Sequence, residues 1–166
     1  IREMFSLGFN KQKKTLESLK DIYEEVVIIS TCNRTEIYIS GCLGEKEDVL
    51  RIFEILEWDL SLAEHIFYLK DSEVAKHLME VVCGFHSKIL GEVKDAYELS
   101  LEHKALKQKL LKLFEEAIAC GKRFRSESEL YKIPVSSSSI AVSKAISFGS
   151  KSLMVLGYGT IGNLVV

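Results

Sequence analysis

The sequence predicts an α+β chain, and three observations carry the prediction. Along the first seventy or so residues, short segments alternate in the order β-α-β-β-α-β. After Asp71 the apolar spacing becomes helical and stays so to Phe148. From Ser152 the chain reads as an apolar strand, a glycine loop and a helix start. The first order is the split βαβ, ferredoxin-like pattern. The last is the first βα unit of a Rossmann domain, truncated at Val166.

Each element has its own signal. Met4 to Phe9 is predicted as a strand and Lys14 to Tyr23 as a short amphipathic helix. Glu25 to Ser30 and Glu36 to Ser40 are strands joined by a tight turn, so they form a hairpin. Lys46 to Trp58 is helical, with Val49, Ile52, Phe53 and Leu56 on one face, and Ile66 to Leu69 is the fourth strand. Ser72 is the predicted N-cap of a helix from Glu73 to Cys83, and Gly84 its stop. Val93 to Glu102 and Leu106 to Ser126 carry further helical periodicity, uninterrupted because the one proline is Pro134. Lys and Arg interleave with Glu between Lys104 and Lys132, which reads as a solvated helix face rather than a nucleic-acid patch. Ser136 to Ser139 are linker and cap for a small apolar helix, Ile140 to Phe148, closed by Gly149-Ser150. The expected organisation is a main domain over 1–132, a connecting segment over 133–150, and the beginning of a nucleotide-binding domain over 151–166.

Composition narrows the function classes. The chain has 166 residues, a net charge of −2, 47% hydrophobic and 28% charged residues, and a mean hydropathy of +0.09. That balance is globular and argues against a uniformly basic nucleic-acid binder. No apolar run reaches membrane-spanning length, and Ile1-Arg2-Glu3-Met4 does not read as a signal peptide. Cys32, Cys42, Cys83 and Cys120 are scattered, with no CxxC pair and no zinc-like spacing to the four histidines. A cytoplasmic protein with reduced thiols and no bound metal is the expectation.

Ser30-Thr31-Cys32-Asn33-Arg34-Thr35-Glu36 carries the strongest chemical signal. A cysteine that fills a core sits in an apolar run, whereas Cys32 is flanked by polar residues where the chain reverses. A nearby cation favours the thiolate, which is the nucleophile. Arg34 is a planar donor fork suited to a carboxylate. Covalent catalysis on an acidic substrate follows, with Cys32 at an exposed and rigidly supported hairpin tip.

Gly157-Tyr158-Gly159-Thr160-Ile161-Gly162 is a GxGxxG placed after a strand and opening a helix. Its glycines permit a tight turn and close approach of a pyrophosphate to backbone N–H groups. A full βαβ unit and an acidic ribose reader are needed for a dinucleotide, and neither falls before Val166.

With the thiol turn, the Gly84-Phe85-His86-Ser87-Lys88-Ile89-Leu90-Gly91-Glu92 segment and the glycine loop in that order, the sequence resembles the glutamyl-tRNA reductase family. STCNRTEIY is highly specific to that family, Ala75 to Glu92 is similar to its AxxHLxxVxxGxxSxxxGE block, and Lys122 to Glu129 to its KRxRxET helix end. The resemblance runs from about Phe5 to Val166 and implies a catalytic domain followed by the opening of an NADPH domain. It implies reduction of glutamyl-tRNA(Glu) to glutamate-1-semialdehyde through a cysteine thioester, the first step of tetrapyrrole synthesis from glutamate. By resemblance Cys32 is the nucleophile and His77 a catalytic acid, base or carbonyl-polarising group. Thr31, Asn33 and Arg34 then shape the glutamyl site, with Arg34 on the substrate's α- or γ-carboxylate. Ser87 and Glu92 match substrate-binding positions, and Gly157, Tyr158, Gly159, Thr160, Ile161 and Gly162 match the NADPH phosphate loop. The implied partners are the charged tRNA, glutamate-1-semialdehyde aminomutase and, for the full-length family, a second copy in a homodimer.

The chain departs from the family pattern in three places. After Glu92 it runs straight into Val93-Lys94-Asp95-Ala96-Tyr97, without the Gln-rich segment that carries two substrate-binding residues. The stretch between Gly8 and Cys32 is short, and the HKT-type motif is reduced to Asn10-Lys11. Most of the NADPH domain and the dimerising helical domain are absent, so the 166 residues alone are expected not to transfer hydride.

Plainer readings stand beside these. Cys42, Cys83 and Cys120 are expected to be small buried hydrophobes. His77 alone reads as a helix-face histidine satisfied by a neighbour, and Ser87 as an ordinary cap. Arg34 alone reads as a surface pair with Glu36, worth little. His86 receives no role. Two other functions remain open: a non-catalytic relative that binds tRNA or a partner, and a thiol-dependent aldehyde dehydrogenase.

Overall fold

A computed structural model describes residues 2–31, 34–85, 92–128, 137–152 and 154–157. Its helices are α1 (Phe9–Lys20), α2 (Glu45–Leu56), α3 (Ser72–Cys83), α4 (Glu92–Glu102), α5 (Lys109–Glu127) and α6 (Ser137–Ser147). Two strands, β1 (Glu25–Ser30) and β2 (Thr35–Ser40), form an antiparallel sheet. The fold is therefore α+β.

The hairpin is the centre of the architecture. Its register runs from Glu25↔Ser40 to Ser30↔Thr35, and Thr31 N–H donates to the Arg34 carbonyl at 2.8 Å to carry the pairing one step further. Side chains alternate across a strand, and both faces of β1 are buried. Val27 and Ile29 pack with Leu78, Val81 and Val82 of α3, Val93 and Ala96 of α4, and Leu110, Phe114 and Ala117 of α5. Val26 and Ile28 pack on the other side with Leu16 and Leu19 of α1, Leu56 of α2, and Tyr23. A strand sandwiched in this way needs an unbroken apolar run, which Val26 to Ile29 provides. Burying one such side chain fully contributes about 1.5–3 kcal/mol.

Four carriers of the predicted sheet become two. The predicted strand at Met4 to Phe9 is a 3-10 turn over Arg2–Phe5 followed by Phe9 as the first residue of α1. Its backbone is bonded by side chains of the hairpin instead of a ladder: Thr35 Oγ1 donates to the Phe5 carbonyl at 2.7 Å, and Leu7 N–H to Ser30 Oγ at 2.9 Å. Groups on the hairpin's first strand are likewise taken, the Val26 N–H by the Ala105 carbonyl at 2.9 Å and the Ile28 carbonyl by Gln12 Nε2 at 2.7 Å. The predicted strand at Ile66 to Leu69 is extended but unpaired, anchored by Tyr68 OH on Asp48 Oδ2 at 2.7 Å. Short alternating runs suit an anchored extended segment as well as a strand, and here side-chain anchors decide the outcome. The described part of the predicted strand Ser152 to Leu156 forms no ladder, and Met154 and Leu156 are exposed.

Helix boundaries differ less. Ser72 is the first residue of α3, and Asp71 stands at the cap position. α3 stops at Gly84 as predicted. α5 starts three residues after the predicted Leu106, because its N-terminus is fixed by a buried carboxylate described below. α3 and α5 cross closely: a Cβ on Gly121 would sit 2.8 Å from the Val82 carbonyl oxygen. Lys112, Glu115, Glu116, Lys122 and Arg123 of α5 face solvent, as the charge pattern predicts. Cys42 is exposed, contrary to the expectation of burial, while Cys83 and Cys120 are half-buried.

Candidate functional site around the hairpin turn

The hairpin sets the position of the site and α3 completes it. Thr31 holds the turn, its Oγ1 accepting from Arg34 N–H at 3.2 Å. Arg34 reaches back along β2, and its Nη1 donates to Glu36 Oε1 at 3.2 Å. The same oxygen lies 3.1 Å from His77 Nε2, on α3 and 41 residues away in sequence. The other oxygen of Glu36 accepts from Tyr38 OH at 2.7 Å. Glu36 thus gathers a guanidinium, an imidazole and a phenol on one carboxylate.

The cluster is largely withdrawn from water. The side chains of Arg34, Glu36 and His77 are 12%, 10% and 18% exposed. The Arg34–Glu36 pair foreseen as a weak surface contact is therefore partly desolvated, where ionic hydrogen bonds are stronger. Tyr38 packs edge-on against Phe114, ring centroids 5.1 Å apart. Burial, the Glu36 charge and the hydrogen bond to it together push the Tyr38 phenol well above its ordinary range, so it stays a donor. Nε2 of His77 is the ring nitrogen directed at the Glu36 carboxylate.

The structure brings Thr31, Arg34 and His77 together. Cys32 and Asn33, between Thr31 and Arg34 in the chain, lie outside the described residues, as do Ser87, Tyr158, Gly159, Thr160, Ile161 and Gly162. Glu92 opens α4, and its side chain is also outside the described part. The shortened Asn10-Lys11 region is continuous helix in α1, with Lys11 Nζ donating to the Leu56 carbonyl at 2.9 Å. Gly157 has φ +104°, a conformation L side chains rarely adopt, and among the described residues no heavy atom lies within 4 Å of an added Cβ. Among the described residues no group of three or more His, Cys, Asp or Glu could hold a metal ion. Nor is any helix there long and apolar enough to cross a membrane.

Sequence reasoning passed over Glu36 as the meeting point of the cluster and Tyr38 as its third partner. The available signal was alternation: Glu36 and Tyr38 lie on one face of β2, where a lone carboxylate needs a cation.

Next to the turn that holds Cys32 in the sequence stands a largely buried Arg34–Glu36–His77 cluster. The sequence profile described as glutamyl-tRNAGlu reductase, N-terminal domain, matches residues 1–128, and the chain belongs to this family. It is 49% identical over 172 residues to a glutamyl-tRNA reductase of Clostridium beijerinckii, which aligns with all of this chain and 43% of that relative. A Clostridium botulinum relative of the same name is 48% identical with the same coverage. A Clostridium perfringens one is 43% identical, with 44% of its length aligned. The chain thus spans less than half the length of these curated relatives.

Proposed function

We propose that this chain is the thioester-forming part of an NADPH-dependent reductase that converts glutamyl-tRNA(Glu) to glutamate-1-semialdehyde. The observation that supports this reading most is the shared Glu36 carboxylate, with Arg34 Nη1 at 3.2 Å and His77 Nε2 at 3.1 Å beside the turn that contains Cys32. The match to the reductase family's N-terminal domain supports it independently.

The chemistry follows from the residues. The Cys32 thiolate attacks the ester carbonyl, the new C–S bond forms, and the C–O bond to the tRNA ribose breaks. The departing ribose oxygen takes a proton, which His77 supplies while Glu36 steadies the imidazolium. The α-carboxyl of the substrate is consumed in the ester, so Arg34 faces the γ-carboxylate. Thr31, Asn33, Ser87 and Glu92 complete the glutamyl pocket. The hydride that turns the thioester into an aldehyde, with release of the thiolate, comes from NADPH when bound. Residues 1–132 form the acylation domain, 133–150 the connector, and 151–166 open the nucleotide unit with Gly157 to Gly162 at the pyrophosphate. The product is a reactive aldehyde, and the aminomutase that uses it is the natural partner.

The decisive experiment mixes the full-length protein with tRNA carrying labelled glutamate, without NADPH. Label is expected on Cys32 and absent from Cys32→Ser. Equal labelling of the variant would remove Cys32 as the nucleophile. Oxidation of free aldehydes without tRNA would instead favour a dehydrogenase, and tRNA binding without any acyl transfer a non-catalytic relative.

A further inference from the structure

The acylation chemistry leaves one neighbour of His77 without a task. Phe67 sits on the extended segment before α3, its side chain 65% exposed. Its ring meets the His77 imidazole in an edge-type contact, with centroids 5.5 Å apart and planes inclined by 65°. The segment beneath it is fastened. Tyr68 OH donates to Asp48 Oδ2 at 2.7 Å, and Asp48, fully buried, also accepts from Tyr23 OH at 3.0 Å and from the Leu43 and Gly44 amides at 3.1 and 3.3 Å. A firmly held backbone therefore presents an open aromatic ring directly beside the cluster.

We infer that Phe67 is the platform on which the terminal adenine of the charged tRNA stacks; this rests on the proposed function. The reacting ester hangs from the ribose of that terminal adenosine, so its base lies one sugar away from the carbonyl. His77 must approach the departing ribose oxygen, so a ring packed against His77 is a near surface for the base that the same ribose carries. Stacking suits this position because it needs only a π-face and no specific hydrogen-bonding edge. It contributes grip on the acceptor end common to tRNAs and leaves discrimination between them to other contacts.

The test compares two acyl donors on the full-length protein by single-turnover labelling of Cys32: glutamyl-tRNA, and glutamate α-ethyl thioester, which has no nucleoside. Phe67→Ala is expected to raise the half-saturating glutamyl-tRNA concentration about tenfold. It should leave labelling by the thioester unchanged, and Phe67→Trp should restore tRNA affinity. Equal behaviour of wild type and Phe67→Ala toward glutamyl-tRNA would overturn the inference. So would a parallel loss with both donors, which would make Phe67 a support for His77. So would unchanged labelling with slowed hydride transfer, which would place the ring against the rest of the enzyme. Wild-type protein that labels with neither donor would remove the proposed function itself, and this inference with it.

Discussion

Glu25 and Glu36 are two carboxylates on the same hairpin with opposite employment. Glu25 starts β1 at the end away from the turn and is 2% exposed. It accepts from the backbone N–H groups of Lys107, Gln108, Lys109 and Leu110 at 2.8–3.1 Å, and from Ser40 Oγ at 3.0 Å. It therefore caps the start of α5 and meets the positive end of that helix dipole. Glu36, near the turn, accepts among the described residues from three side chains, Arg34, His77 and Tyr38. Backbone donors cannot swing toward a substrate, whereas imidazole and guanidinium side chains can reorient. One carboxylate fastens the fold and the other organises chemistry.

Substitution separates the two roles. Glu36→Gln should lower the Cys32 labelling rate at saturating glutamyl-tRNA by about 10²-fold, as expected for a displaced proton donor. Substrate affinity and melting temperature should move much less. A variant that labels at the wild-type rate would leave Glu36 a mere structural acid.

Glu25→Gln should instead cost about 3 kcal/mol of stability, since it strips a charged acceptor from buried amides. Labelling per folded molecule should hold. Burial acts to raise the Glu25 pKa, but the Lys107 and Leu110 amides, Ser40 and the Gln108 amide outweigh it and hold the carboxyl below its ordinary value. A depressed folded pKa gives stability that is present above the ordinary carboxylate range and lost as pH falls through the folded value. Denaturant midpoints between neutral pH and pH 3 should fall in wild type and fall less steeply in Glu25→Gln. Parallel slopes would break this half of the comparison.

The smallest effect concerns thiols. Burial first, and then the Cys120 thiol, push the Cys83 pKa up, the opposite of what a cation does for a nucleophile. Its alkylation rate should reach half-maximum above pH ~8.5, the value for a free thiol. A midpoint below that value would end the distinction between structural and reactive cysteines.

How far the sequence reached follows the same divide. β1 was legible to the residue, because an unbroken apolar run between turn signals has few alternatives. The turn's candidate residues Cys32, Asn33 and Arg34 stand out because they are adjacent in the chain, and of the three Arg34 lies among the described residues. The His77 partner of Glu36 and the Lys107 amide on Glu25 were not legible, since they stand 41 and 82 residues away. Asp48 escaped notice because acids are rarely buried, and no local rule reveals Tyr23 and Tyr68 as its donors. Phe67 read as a strand residue, and only its fastened neighbour shows why the segment stays unpaired. The close crossing at Gly121 left no local mark beyond the glycine itself.

The cap on α5 has a kinetic corollary. Its acceptor comes from a strand 82 residues upstream, so the helix cannot complete its first turn until the hairpin has formed. Amide hydrogens at residues 107–110 should then exchange with solvent only when the whole domain opens, while those at the other end of α5 exchange by fraying. The two ends of one helix would report on two different events, global opening and local breathing, in a single hydrogen-exchange experiment.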